Sequence, residues 1–374
     1  MSENVKTLLV IGNGFDLAHE LKTKYTDFLD FVTNKIPTGQ SGFFPKDYKI
    51  GNFVLFESDQ SKNKLSLDDL KKCIDSVGNI WIGHFNQLKI TNDFIGKNWI
   101  DFETEIENVI KKIEKRILNE MSPDEWKSSN LERIMGGYFN QSAETISQEF
   151  VPRISWDLKI LKLLLEQYLI EEEKNLKANH NLFFKNLKPD VVISYNYTHT
   201  FQKLYDPDEK IPVHFIHGEL GKHNLVLGIG ETLSGDEKNN FTVCASFKKF
   251  FQRIKYRLKN QYRENITQFE DRFTHWQIVI YGHSLDATDK DSLSWLMKNW
   301  EKEELIDGSQ PIKRIFIHYH DENTYNQQIA NAMQIVGKDE LIDSVNSGRI
   351  VFSPLNDLIN LAENFKGGEL WNLS

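Results

Sequence analysis

The apolar run Leu8-Leu9-Val10-Ile11 stops at Gly12-Asn13-Gly14, and the residues that follow, Phe15 to Phe31, are apolar at roughly helical spacing. A short continuous run closed by a glycine turn and followed by a helical period reads as strand, tight turn, helix. The same order returns at Val191-Val192-Ile193-Ser194-Tyr195-Asn196 before Thr200 to Leu204, and at Ile278-Val279-Ile280-Tyr281-Gly282 before Asp289 to Trp300. Further apolar runs are Val213 to Ile216, Leu225 to Leu227, Ile315 to Ile317 and Ile350 to Phe352. Strands that are apolar throughout are buried on both faces, as in a parallel sheet covered by helices. The expected fold class is α/β: a Rossmann-like, mostly parallel sheet with large helical insertions.

The interval between the first strand and Val191 is too long for a loop in a compact domain and must carry its own structure. After a glycine-rich and polar passage from Pro37 to Lys64, the segments Phe102 to Leu118 and Ile154 to Leu176 are helical in period and dense in Glu and Lys. The expected organisation is a core of residues 1–35 and 188–374, a helical insertion at 66–187 and a second, basic helical insertion at 233–274. Seven Lys and Arg residues lie between Lys248 and Arg263, interleaved with Phe250, Phe251, Ile254, Tyr256 and Leu258. That stretch is expected as a solvated helix packed by its aromatic face, with a nucleic-acid or acidic-partner contact as the alternative.

The 374 residues correspond to two or three domains at about 150 residues each. Lys and Arg total 45 against 54 Asp and Glu, a net charge of -9, so the molecule as a whole does not attract phosphate backbones. Cys73 and Cys244 exclude a four-cysteine zinc module and a disulfide framework, and they suit a reducing compartment. The Leu8–Ile11 run is too short for a signal-peptide core, and no stretch reaches the roughly 20 apolar residues of a membrane span. A cytoplasmic protein with no membrane partner is expected.

Each strand end carries polar residues able to do chemistry. The Gly12-Asn13-Gly14 turn opens a helix whose first N–H groups lack intrahelical partners and can hold a phosphate; the alternative is a tight turn with Asp16 near the helix start. Leu17 occupies the third glycine position of the dinucleotide fingerprint, and no acidic residue closes an obvious second strand. Asn196, past a strand's carboxyl end, can donate and accept at once, which suits a ribose hydroxyl or a water; it can equally cap the helix near Thr200. His217, followed by Gly218, can act as general base or acid, or be structural like the nearby His214. Ser284 and Asp286 offer a hydroxyl and a carboxylate to a sugar or phosphate, or serve as helix caps. His318 and His320 could share a strand face, yet no carboxylate-histidine spacing completes a site, and no metal is expected.

Taken together, Val10-Ile11-Gly12-Asn13-Gly14-Phe15-Asp16-Leu17-Ala18-His19 with Leu21, Thr23 and Tyr25 resembles the start of the AbiH family of phage abortive-infection proteins. Trp99-Ile100-Asp101-Phe102-Glu103, Ser194 to Phe201, Ile216-His217-Gly218 and Tyr281-Gly282-His283-Ser284-Leu285 resemble that family's internal motifs in the same order. The series is also similar to the sirtuin-like NAD-binding fold. That resemblance implies Asn196 and His217 as a catalytic pair, with Gly12, Asn13, Gly14, Phe15, Asp16, Ser194, Gly282, Ser284 and Asp286 binding the dinucleotide. Asn13, Asp16 and Thr198 depart from it: a small residue, a serine and an acidic residue are usual there.

Without zinc cysteines the likeness is to defence proteins that hydrolyse NAD rather than to protein deacylases. It implies an antiphage NAD glycohydrolase that takes NAD or a related nucleotide as substrate or ligand, and cleaves the nicotinamide–ribose bond. A homo-oligomer and a phage-derived trigger or defence-system partner are further expected, while the net charge of -9 argues against a nucleic-acid partner other than through a local contact. The alternatives are a non-catalytic nucleotide or ADP-ribose sensor and, from the basic stretch and His318 with His320, a nuclease.

Overall fold

A computed structural model describes residues 4–36, 66–90, 102–178, 181–230, 244–258, 274–297 and 313–354. Among these, strands β1 (Asn4–Ile11), β2 (Val191–Ser194), β3 (Val213–Phe215), β4 (Thr274–Tyr281), β5 (Lys313–Tyr319) and β6 (Ile350–Pro354) form one sheet in the order β3-β2-β1-β4-β5-β6. All neighbouring pairs are parallel. This is the doubly wound Rossmann order, in which the chain winds from β1 to one edge and then restarts on the other side of β1.

The helices used below are α1 (Asn13–Ala18), α2 (Tyr25–Lys35), α3 (Leu67–Val77), α4 (Ile80–Ile90), α5 (Phe102–Ile117), α6 (Val151–Glu173), α7 (Leu182–Leu187), α8 (Thr200–Tyr205), α9 (Lys249–Lys255), α10 (Lys290–Met297), α11 (Glu322–Val336) and α12 (Lys338–Asn346). Alternate strand residues feed two apolar layers. On one face Leu8, Val10, Ile193, Ile278, Ile280 and Ile315 pack with Leu293 and Leu296 of α10, Ile335 of α11 and Leu341 of α12. On the other, Leu9, Ile11, Val192, Val279 and Phe316 pack with Phe15 of α1, Phe183 and Phe184 of α7 and Phe201 of α8. Strands buried on both faces have no position for a polar residue, which is why these runs are apolar without alternation.

The chain divides into two compact units, one of Met1–Leu21, Glu172–Asn224 and Arg253–Ser374, which holds the sheet, and one of Lys22–Glu171 and Leu225–Gln252. The division falls after Leu21, short of residue 35, because α2 packs with the helical unit: Phe28 is fully buried, with its ring 6.1 Å from Phe102 and 5.7 Å from Tyr168. The helical period from Phe15 to Phe31 is correspondingly broken between Ala18 and Tyr25. Leu225 to Leu227 is buried but forms no strand. At Leu227 the Gln252 side chain takes the place of a neighbouring strand, its amide oxygen accepting from the Leu227 N–H at 3.3 Å and its amide nitrogen donating to the Leu227 carbonyl at 2.9 Å. The Pro37–Lys64 passage and most of the 233–274 insertion lie outside the described residues.

In the helical unit, Asp157 on α6 accepts from the Ile80 N–H at 2.9 Å and from Arg153 Nε at 3.2 Å, which fixes the start of α4 against α6. The basic stretch is solvated only in part: Lys255 and Arg257 are exposed, as are Phe251 and Ile254 of the face expected to pack, whereas the first two cations are buried. Lys249 is 1% exposed and donates to Glu103 on α5 at 2.8 Å, and buried Lys248 lies 3.7 Å from Glu114.

Where β1 and β4 end, backbone meets backbone. A Cβ on Gly14 would lie 2.6 Å from Gly282 Cα, and a Cβ on Gly282, whose φ is +67°, would lie 2.4 Å from the Phe15 nitrogen. Gly221, at φ +77°, has nothing within 4 Å of its Cβ position. Gly221→Ala is therefore expected to lower stability by about 1 kcal/mol through its positive φ alone. Gly282→Ala, which adds a backbone clash that no rotamer relieves, is expected to cost on the order of 3 kcal/mol or more. Urea denaturation of the two variants checks this; equal midpoints would mean that the β1–β4 contact is slack.

Candidate functional site

The register aligns Ile11 with both Ser194 and Tyr281, and Ser194 with Phe215, so β1, β2, β3 and β4 end at one level. Open parallel sheets bind ligands beyond these carboxyl ends, beside the strand where the winding reverses. Asn196, His217, the Gly12–Gly14 turn and the Gly282–Asp286 segment all follow directly from those ends.

The Gly12–Gly14 turn is joined to β4 by the Gly14 N–H, which donates to the Gly282 carbonyl at 2.8 Å. Asn13 is the first residue of α1. Phe15 is fully buried among Phe184, Phe201, Tyr205 and Tyr281 and belongs to the core. His19 extends this core: its Nδ1 contacts the Phe15 carbonyl at 2.7 Å, its Nε2 contacts the Tyr205 hydroxyl at 2.7 Å, and that hydroxyl accepts from the Asn181 N–H. Ser194 turns its hydroxyl back on its own strand end, donating to the Asn196 carbonyl and accepting from the Asn196 N–H. Asn196, 6% exposed, donates from Nδ2 to the Gly12 carbonyl at 2.9 Å and so links the ends of β2 and β1.

Asp16 lies on α1 and is 1% exposed. Its Oδ2 accepts from the Thr198 hydroxyl at 2.7 Å, while its Oδ1 is buried with no hydrogen-bond partner among the described residues. Burial raises its carboxyl to about 6, the Thr198 and Thr200 hydroxyls pull it back down, and the charge of Glu173 pushes it up again. Glu173 is itself lowered to about 2: burial opposes its charge, but hydrogen bonds from the His199 side chain, Lys203 and the His199 amide outweigh that. His199 is raised in turn, chiefly by its bond to Glu173.

His217, beyond β3, is brought to residues that follow β4. Its Nε2 lies 2.8 Å from Asp289 Oδ1, and His283 Nε2 lies 3.6 Å from Asp289 Oδ2. All three residues are at most 6% exposed. The Tyr195 ring stands edge-on to both imidazoles, with centroids 5.4 Å from His217 and 4.2 Å from His283. Ser284 is exposed, and its carbonyl accepts from Asn331 Nδ2. Asp286 caps the short helical turn before α10 by accepting from the Thr288 N–H at 2.8 Å.

His318 and His320 do not share a face. β5 ends at Tyr319, so strand alternation stops before His320, which is exposed beside Asp321 and Thr324. His318 is buried and stacked on Tyr281 at 4.3 Å, and burial first, with His320 second, lowers it to about 4. Among the described residues no group of three or more His, Cys, Asp or Glu is arranged to hold a metal ion, and no helix is long and apolar enough to cross a membrane.

Sequence reasoning missed Asp289, read only as a helix start, and gave His283 no role. A carboxylate opening a helix a few residues beyond a glycine-histidine strand end was the available signal. Thr198 was marked as a departure but not as the donor to Asp16. In the resembling block Trp99-Ile100-Asp101-Phe102-Glu103, the first three residues lie outside the described residues, and Glu103 holds Lys249.

The raised carboxyl of Asp16 fixes the sign of its pH effect. Between about pH 4 and 6 the folded chain holds a proton that the unfolded chain has lost, so stability falls as pH rises through that window and stays lower above it. Asp16→Asn is expected to raise stability above pH 7 by on the order of 3 kcal/mol. It should also remove the share of the slope that Asp16 contributes, leaving that of Asp157, which burial likewise raises to about 6, together with those of His199 and His318. Denaturation midpoints at pH 4 and pH 7.5 check this; a variant less stable than the parent at pH 7.5 would overturn it.

No curated protein and no solved structure matches the chain. The family profile described as "Bacteriophage abortive infection AbiH" matches residues 8–306. That span takes in the carboxyl ends of β1 to β4 together with Asp16, Asn196, His217, His283 and Asp289, and the chain belongs to the AbiH family of bacteriophage abortive infection proteins.

Proposed function

We propose that this AbiH chain acts in abortive infection as an NAD glycohydrolase, with NAD or a related nucleotide as substrate at the carboxyl ends of β1 to β4. The observation that carries the reading is that buried Asn196 and His217 each follow the carboxyl end of a strand, β2 and β3, in a sheet of order β3-β2-β1-β4-β5-β6. The resemblance to sirtuin-like NAD-hydrolysing defence proteins supports the choice of substrate.

Cleavage of the nicotinamide–ribose bond proceeds through an oxocarbenium-like state, so the protein has to hold the ribose, orient a water and accept a proton. The electron pair of the broken bond leaves with nicotinamide, the water oxygen bonds to the anomeric carbon, and the water proton passes to His217. Asn196 is held by its Nδ2 bond to the Gly12 carbonyl, and as an uncharged amide it is suited to orienting the water or a ribose hydroxyl. Ser284 offers an exposed hydroxyl for the distal ribose, and Asp286 lies beside it.

The pyrophosphate fits the Gly12–Gly14 turn only in part. The Gly14 N–H is already committed to the Gly282 carbonyl, and the Asp16 carboxylate lies in the same turn of helix. That observation favours, as a second reading, a sensor that binds a nucleotide or ADP-ribose without turnover.

The test is incubation of the protein with NAD, with and without lysate of phage-infected cells, following nicotinamide and ADP-ribose. His217→Ala and Asn196→Ala are each expected to lose on the order of 100-fold or more of the release rate. NAD binding without nicotinamide release in either condition would move the conclusion to the sensor, and undiminished release by both variants would overturn the residue assignment.

A further inference from the structure

Two imidazoles from different strand ends face the two oxygens of one carboxylate. An ionised carboxylate only accepts, so in the 2.8 Å contact between Asp289 and His217 the hydrogen belongs to His217 Nε2. The His283 ring is assigned separately: the Leu285 N–H donates to its Nδ1 at 2.9 Å, which leaves the hydrogen on its Nε2, turned to the second oxygen of Asp289 at 3.6 Å. Asp289 is held from behind by Ser292, whose hydroxyl donates to the Asp289 carbonyl at 3.1 Å and accepts from the Tyr195 hydroxyl at 2.7 Å. It directly precedes α10, whose positive end favours a negative charge there.

We propose that Asp289 is a positioning residue for His217, holding that ring in the Nε2–H tautomer so that the lone pair which takes the water proton lies on Nδ1, with the His283 ring standing beside the second carboxylate oxygen at 3.6 Å. This rests on the reading of His217 as the proton acceptor. A carboxylate behind an imidazole selects the tautomer and stabilises the imidazolium that forms, without itself being protonated. A neutral amide in its place presents a donor as readily as an acceptor and allows the other tautomer.

The test uses the full-length chain labelled with 15N-histidine, with two-bond nitrogen–proton spectra assigned by His217→Gln and His283→Gln. In the parent protein both rings are expected in the Nε2–H tautomer, a measurement that needs no variant of Asp289 to fold. In Asp289→Asn, His217 is expected to shift to Nδ1–H while His283 keeps its form through Leu285. In the same variant the kcat of nicotinamide release should fall by roughly 1,000-fold or more with KM changed by less than about threefold. An Nδ1–H form of His217 in the parent, an unchanged tautomer in Asp289→Asn, or a loss confined to KM would overturn the proposal. If the parent protein releases no nicotinamide, the NAD glycohydrolase reading fails on that result, and the tautomers still decide the role of Asp289.

Discussion

The Gly282 backbone lies so close to Gly14 and Phe15 that no side chain fits between them, and the Gly14 N–H closes the contact on the Gly282 carbonyl. This joint holds the end of β1 against the end of β4 at the place where the winding of the sheet reverses. Asn196 extends the joint sideways by binding the Gly12 carbonyl, so three strand ends are tied backbone to backbone or through one amide. Asp16, Thr198, His217 and His283 lie within a few residues of that tie or of the strand ends beside it. Interiors are packed too densely to absorb an added methyl at a backbone crossing, so these positions specify the local geometry tightly.

The tie separates two buried polar groups. Phe15 carries α1 onto one face of the sheet, and Asp16 follows it there to meet Thr198. Tyr195 belongs to the opposite face and supports His217 and His283 around Asp289. The two groups differ in character. Asp289 is matched by the His217 imidazole, whereas one oxygen of Asp16 is buried with no hydrogen-bond partner among the described residues. A buried carboxylate whose hydroxyl donors do not offset its burial lowers stability at neutral pH, and such costs concentrate at functional sites.

The strands were legible because burial on both faces leaves an unbroken apolar run, and β1, β2 and β4 stand where their runs and glycine turns put them. Leu225 to Leu227 carried the same apolar signal without forming a strand, since burial can be satisfied by a side-chain amide such as Gln252 as well as by a neighbouring strand. Asn196 and His217 could be singled out because each follows its strand directly. Asp289 could not, because its partnership with His217 spans 72 residues and depends on the sheet order, which no local pattern contains. Local patterns likewise did not separate α2 from the sheet unit: its period is helical wherever it packs, and only the aromatic contacts of Phe28 with Phe102 and Tyr168 assign it.

Lys248 and Lys249 open the most basic stretch of the chain, yet both are buried beside Glu114 and Glu103. Counter-ions in solution screen charges they can surround, and a lysine that is 1% exposed offers them no approach. The grip of α5 on the start of α9 is thus nearly indifferent to ionic strength, unlike the Lys177–Glu20 pair, whose side chains are 71% and 57% exposed. A cation count along the sequence therefore overstates the field this segment projects into its surroundings, because two of its charges have their counter-ions built into the fold.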